Sequence, residues 1–177
     1  VLAVVIVLTN GFIFRLIIKK RKLHRSVTNK WLASLAGCDL FMGFVGVSLY
    51  VSCNSTWNTP TCFSSAVVIK FISVATLLHI LAITVDRYIY ILYPLRYTEL
   101  VTGWRTHAAM ILLWSVSLFV AVVQLSWTNF NIDVSEDGGK QEEAKNRIYH
   151  ISSTVIFFLV PLIFMVYAYA RVFYEVE

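Results

Sequence analysis

Long apolar runs separated by short charged stretches organise this 177-residue chain. Residues 1–18, 31–52, 63–85, 107–127 and 148–170 are almost wholly apolar, and each approaches the roughly 20 residues a helix needs to cross a bilayer core. With their polar end turns, the helices are expected over about 1–18, 29–53, 62–93, 106–127 and 148–174. The fold class is therefore an all-α membrane protein, a transmembrane helix bundle forming a single domain over 1–177. Charges inside the runs are few: Arg15 in the first, Asp39 in the second and Lys70 in the third. His107 and His150 lie near the ends of the fourth and fifth. Pro161 interrupts the fifth run, which a membrane helix tolerates because neighbouring groups re-satisfy the freed carbonyl.

Composition agrees with this reading. Hydrophobic residues make up 58% and charged residues 14%, against about 45–50% and 25% in soluble domains. The net charge of +5 is crowded at segment ends, which suits a membrane surface and its lipids and argues against a nucleic-acid partner. The 19–30 connection holds Lys19, Lys20, Arg21, Lys22, Arg25 and Lys30, and the 86–105 connection holds Arg87, Arg96 and Arg105. The 128–147 connection sets Lys140, Lys145 and Arg147 against Asp133, Glu136, Asp137, Glu142 and Glu143, and 53–61 has no basic residue. The basic connections are expected in the cytosol, with the N-terminus outside. Asn54-Ser55-Thr56 is a glycosylation sequon on the expected outer side. Polar, glycine-containing residues 131–146 read as a mobile outer loop.

Asp86-Arg87-Tyr88 closes the third run, with Pro94-Leu95 just beyond. An arginine costs roughly 2.5 kcal/mol or more at the centre of a membrane helix, so its place at a span end, beside an aspartate, is informative. Asp39 follows Leu35-Ala36-Gly37-Cys38 in the second span, Trp114 stands in the fourth, and Pro161 precedes Tyr169 by two turns in the fifth. Taken in order and spacing, these residues resemble the rhodopsin-like (class A) G-protein-coupled receptors. The resemblance runs along the whole chain but reaches only five of the family's seven helices. Val1 stands inside an apolar run with no initiator Met or cleavable signal, so a fragment truncated at both ends is expected.

The resemblance implies a multi-pass plasma-membrane receptor that passes an extracellular ligand signal to a heterotrimeric G protein. In that family the arginine matched by Arg87 is a switch restrained by the aspartate matched by Asp86, with Tyr88 beside it. The tyrosine matched by Tyr169 swings toward the arginine on activation, Pro161 matches the fifth-span proline, and the apolar residue matched by Leu95, after Pro94, enters the G protein. Asp39 with Thr76 implies a sodium site; no other cofactor is expected. Asn10-Gly11 reverses the family's usual Gly-Asn order in the first span.

Two departures matter. Cys62 stands where the family bridges the third span to the second outer loop, yet residues 128–149 contain no cysteine. Cys62 is therefore either free or paired with Cys53. Cys38, mid-membrane, reads as inert core. Amine receptors in the family carry an aspartate eighteen residues before the arginine; here that residue is Ile69, which argues against an aspartate-anchored amine as the small-molecule or peptide ligand. The ligand pocket is expected among Ile69, Lys70, Ser73, His150, Ser153, Thr154 and Phe157. Lys70 either snorkels to the outer interface or offers a cation to an acidic ligand. Ser73 and Thr76 can also bond back to their own helix, and His79 reads as a hydrogen-bonded core histidine. The Ser152-Ser153-Thr154 cluster leaves open an amine-like receptor; an ion-coupled transporter using Asp39 and Lys70, or a non-signalling membrane protein, is the other class. No nucleophile, metal or phosphate-loop pattern points to an enzyme.

Overall fold

A computed structural model of the chain describes residues 2–19, 26–56, 59–123 and 136–176, with side chains from 143 onward in the last segment. Lys20, Arg21, Lys22 and Arg25 of the basic turn, and Asp133 with the rest of 124–135 in the outer connection, lie outside the described residues. Helices run over Leu2–Lys19 (α1), Val27–Phe41 (α2), Val47–Thr56 (α3), Thr59–Leu92 (α4), Tyr97–Leu100 (α5), Gly103–Val123 (α6), Glu136–Thr154 (α7) and Val160–Val176 (α8). Four continuous helical stretches, Val27–Thr56, Pro60–Leu92, Gly103–Val123 and Glu143–Glu175, are long and apolar enough to cross a bilayer. The shorter α1, of 18 residues, packs on α2.

Two of these stretches are interrupted by a wider π turn. Met42–Gly46 joins α2 to α3, and Val155–Leu159 joins α7 to α8. The second lies just before Pro161, whose ring cannot accommodate the carbonyl four residues back and which offers no N–H; the π turn takes up both defects. At Gly43 helix α1 comes so close that a Cβ would collide with Cγ2 of Val7, so only glycine permits that approach.

Helix α4 is the axis of the bundle, packing against α2, α3, α6 and α8. Cys38, Ile72 and Ala75 form a buried cluster that Met42, Val68, Phe71 and Trp114 close from the sides. Large apolar residues such as Phe12, Ile111 and Phe119 stay exposed on the outside, as lipid-facing positions require.

The helix boundaries differ from the sequence expectation mainly at the start of the fifth span. Residues 136–146, expected as part of a mobile loop, are helical and continue into the span. Extending an existing helix needs no new nucleus, so the polar stretch with Gly138-Gly139 is carried upward on the apolar one.

Candidate functional site

The end of the bundle where α1 and α4 finish and α2 and α6 begin carries the most organised polar cluster. Asp86, in the penultimate turns of α4, is buried with a side chain 3% exposed. Its Oδ2 accepts a 2.6 Å hydrogen bond from the Thr28 hydroxyl in the first turn of α2. Its Oδ1 accepts a 2.8 Å bond from the Tyr97 hydroxyl at the start of α5. Arg87 stands apart from this: its Nε is 3.9 Å from Oδ2, and its side chain is 46% exposed. The guanidinium leans over the Tyr90 ring, 5.8 Å from the centroid, while Tyr90 meets Tyr97 edge to face at 5.2 Å.

Asp86 is thus held by two neutral hydroxyls, and Arg87 touches it only from the rim. Buried charge needs such donors, whereas a contact between partly exposed ions at this distance adds little, about 0–1 kcal/mol. The guanidinium remains available to another partner. Tyr88 lies half-buried beside it, and Tyr169 on α8 is exposed. Pro94 opens a single turn of 3-10 helix after α4, which presents Leu95 with 94% of its surface exposed. Arg105, at the start of α6, fixes the neighbouring turn by donating from Nη1 to the carbonyls of Glu99 and Leu100 at 3.0 and 3.2 Å.

The Tyr97 hydroxyl is pushed up to about 12, first by burial and then by the bond to Asp86 and its negative charge, with Thr28 and Arg87 opposing. A raised folded value means that this contact contributes fully below pH ~10, the ordinary tyrosine value, and is lost as pH climbs toward 12. Phenolate absorbance should therefore contain a component titrating near the upper end of that window, and Tyr97→Phe should remove it. A titration indistinguishable between the two proteins would refute the buried contact.

A second polar centre sits deeper, among α2, α4 and α6. His79 is fully buried. Its Nδ1 lies 2.7 Å from the Ala75 carbonyl, which can only accept, so Nδ1 carries the proton. Nε2 of the neutral ring then accepts from the Ser34 hydroxyl at 2.7 Å, and Ser34 accepts in turn from Nε1 of Trp114 at 3.3 Å. Trp31 and Trp114 meet the imidazole edge to face at centroid distances of 6.0 and 5.6 Å, and the Cys38 sulfur is 4.0 Å from Nδ1. This agrees with a hydrogen-bonded core histidine.

Asp39, one residue beyond Cys38, is half-buried, and its side chain makes no hydrogen bond or ion pair among the described residues; Thr76 is likewise half-buried on α4. A mid-span carboxyl group of this kind either binds a cation or stays protonated. Asn10 bonds back to the Ile6 carbonyl.

At the opposite end the expected pocket residues divide. Lys70 of α4 reaches α7, where its ammonium donates to the buried Ser153 hydroxyl and lies 5.3 Å from the Tyr149 ring centroid. Ser153 donates onward to the His150 carbonyl at 3.1 Å. No carboxylate pairs with Lys70 among the described residues. Ser73 bonds back to Ile69 within its own helix; His150 and Thr154 are exposed, and Phe157 lies half-buried in the π turn. Cys53 and Cys62 are joined by a disulfide with Cα atoms 4.6 Å apart, and Asn54, exposed beside it, donates to the Tyr50 carbonyl.

Sequence reasoning passed over Thr28, Tyr97, Ser34, Trp31 and Tyr149. The one available signal was Tyr97, a phenol one turn past Pro94 on a connection that must fold back toward Asp86.

Comparison with known proteins identifies the family. Residues 9–177 match the family described as 7 transmembrane receptor (rhodopsin family). A D(1)-like dopamine receptor from Oreochromis mossambicus is 33% identical across 98% of the chain and 46% of its own length. The histamine H2 receptor of Homo sapiens is 28% identical over 98% of the chain and 51% of its length. A D(5)-like dopamine receptor from Takifugu rubripes is 31% identical over 94% and 37%. The chain spans about half or less of the length of these relatives. With a family match along nearly its whole length and the buried Asp86 cluster at the end of its central helix, this chain belongs to the rhodopsin family of seven-transmembrane receptors.

Proposed function

We propose that the chain forms the first five helices of a plasma-membrane receptor that passes an extracellular ligand signal to a heterotrimeric G protein. The observation that carries this reading is the division of labour at the basic end: hydroxyls hold Asp86, and Arg87 is left accessible beside the protruding Leu95. The basic connections place that end in the cytosol by the positive-inside rule. An outer ligand acts by favouring a state in which Arg87 leaves the rim of Asp86, Tyr169 turns toward it and Leu95 docks on the G protein. Asp39, with the Thr76 hydroxyl, holds a sodium ion that favours the resting state.

The ligand is not an aspartate-anchored amine. Ile69 supplies no counterion, and the neighbouring cation, Lys70, occupies the hydroxyl of Ser153. A protonated amine entering there would meet a like charge, whereas an acidic group would meet an ammonium without a carboxylate partner among the described residues. The amine reading stays second because relatives are named for dopamine and histamine.

Arg87→Ala in the full-length protein is expected to reduce ligand-driven nucleotide exchange on the G protein to its ligand-free level while surface expression persists. Undiminished exchange would remove the proposed inner site.

A further inference from the structure

Lys70 is the single Lys, Arg, Asp or Glu between Thr59 and Val85 of the central helix. It stands eight residues inward from Cys62 at the helix mouth, roughly 12 Å at 1.5 Å per residue. An ammonium so far into an apolar span is costly, and it needs either the water at the rim or a partner. The half-buried side chain does not run back to the rim. Its Nζ donates to the hydroxyl of Ser153, which is itself 6% exposed.

Both of its neighbours are neutral. Tyr149 offers its ring face at 5.3 Å and is fixed on two sides: the hydroxyl donates to the Val120 carbonyl on α6, and the ring meets that of His150 at 5.5 Å. An ammonium has three N–H donors, and among the described hydrogen bonds Ser153 takes one. The ion pair among the described residues, Arg87 with Asp86, lies at the other end of α4. A positive charge is thus held in place at the outer end with no anion among the described residues to meet it.

One ammonium beside one hydroxyl matches a carboxylate, whose two oxygens can accept one bond from each. A phosphate, with three acceptor oxygens and up to two charges, calls for more donors. Ile69 beside Lys70, and Phe157 one turn beyond Ser153, are apolar and half-buried, which suits an apolar body.

We propose that this outer site takes an organic monocarboxylate with an apolar body, whose carboxylate replaces Ser153 as the acceptor of the Lys70 ammonium. The inference deepens the receptor reading given above and rests on it. One ligand oxygen accepts from Nζ; the Ser153 hydroxyl turns from the His150 carbonyl to donate to the other. Tyr149 acts as a positioning residue that keeps the ammonium aimed at the site. Ser153 stands two residues before the π turn Val155–Leu159, so the exchange is delivered to the turn from which α8 continues.

The test uses detergent-purified full-length receptor and three probes that share one apolar body: 3-phenylpropanoate, its neutral amide, and 3-phenylpropylamine. The acid should raise the unfolding midpoint in a dose-dependent way, and the amide and amine should need at least tenfold higher concentrations. Lys70→Gln should raise the half-maximal concentration of the acid tenfold or more, as loss of a charged hydrogen-bond partner does, and leave the amide unchanged. Lys70→Glu should reverse the order of acid and amine. An amine that outranks the acid, equal responses to acid and amide, or no response to any probe overturns the site, and none of these readings needs a variant to fold. An acid response unchanged in folded Lys70→Gln protein overturns it too, and phenyl phosphate acting more strongly than the acid overturns the carboxylate assignment. Binding is read here without a G protein, so failure of the receptor reading shows instead in the Arg87→Ala exchange measurement.

Discussion

Replacing His79 with alanine should destabilise the full-length receptor by about 3 kcal/mol, in the range for emptying a large, well-packed site. The imidazole is fully buried and fills the space between Trp31 and Trp114. Removal leaves a void lined by two indoles and takes away the acceptor of the Ser34 hydroxyl, on which the Trp114 contact also depends. In a bilayer there is no water to replace that acceptor, and loss of dispersion contacts adds to it. The expected reading is a fall of roughly 6 °C or more in the unfolding midpoint of detergent-purified receptor. His79→Gln, which keeps an acceptor and part of the volume, should recover some of the loss. A midpoint unmoved by alanine would mean that the three helices do not meet on this residue.

Asp86→Ala should raise ligand-independent nucleotide exchange about tenfold, the equivalent of roughly 1.4 kcal/mol in the balance between resting and active states. Two hydroxyl contacts and one rim contact converge on the carboxylate. Hydrogen bonds to a charged acceptor contribute about 1.5–3 kcal/mol each, and both are made by elements that a coupling partner would approach: the first turn of α2 and the turn at α5. The long 3.9 Å approach of Arg87 contributes less, so the double variant Thr28→Ala/Tyr97→Phe should reproduce most of the rise while Arg87 and Asp86 are both retained. Basal exchange in Asp86→Ala equal to that of the native receptor, with ligand response intact, would show that the carboxylate does not restrain the resting state. If the double variant were silent, restraint would fall to the arginine contact after all.

Much of the fold was legible because hydrocarbon imposes a simple rule: each crossing needs an unbroken apolar run with its backbone satisfied internally. The third span, expected over 62–93, is helical over Thr59–Leu92, and the second, expected over 29–53, over Val27–Thr56 with its π turn. The π turns themselves were not legible, except that Pro161 demanded some local adjustment; nothing in the 42–46 sequence announces one. The start of the fifth span was misread because composition marks residues 136–146 as loop-forming, while the helix below them propagates upward.

At the basic end, the motif pointed to Asp86 and Arg87, and local sequence suggested that the two hold each other. The partners that bury Asp86 come from Thr28, 58 positions earlier, and Tyr97, 11 positions later. Such contacts depend on how helices are juxtaposed, which periodicity cannot encode. Lys70 was ambiguous for the same reason: a lysine near a span end can reach water or a neighbour, and only the position of α7 decides that it meets Ser153 and Tyr149.

The sulfur link between Cys53 and Cys62 staples two consecutive helices to each other across nine positions, and the remaining cysteine, Cys38, is buried. Residues 124–135 contain no cysteine, so the covalent clamp at the mouth of the central helix is made between neighbours in sequence, and a reducing agent acting on that single bond would release α3 from α4.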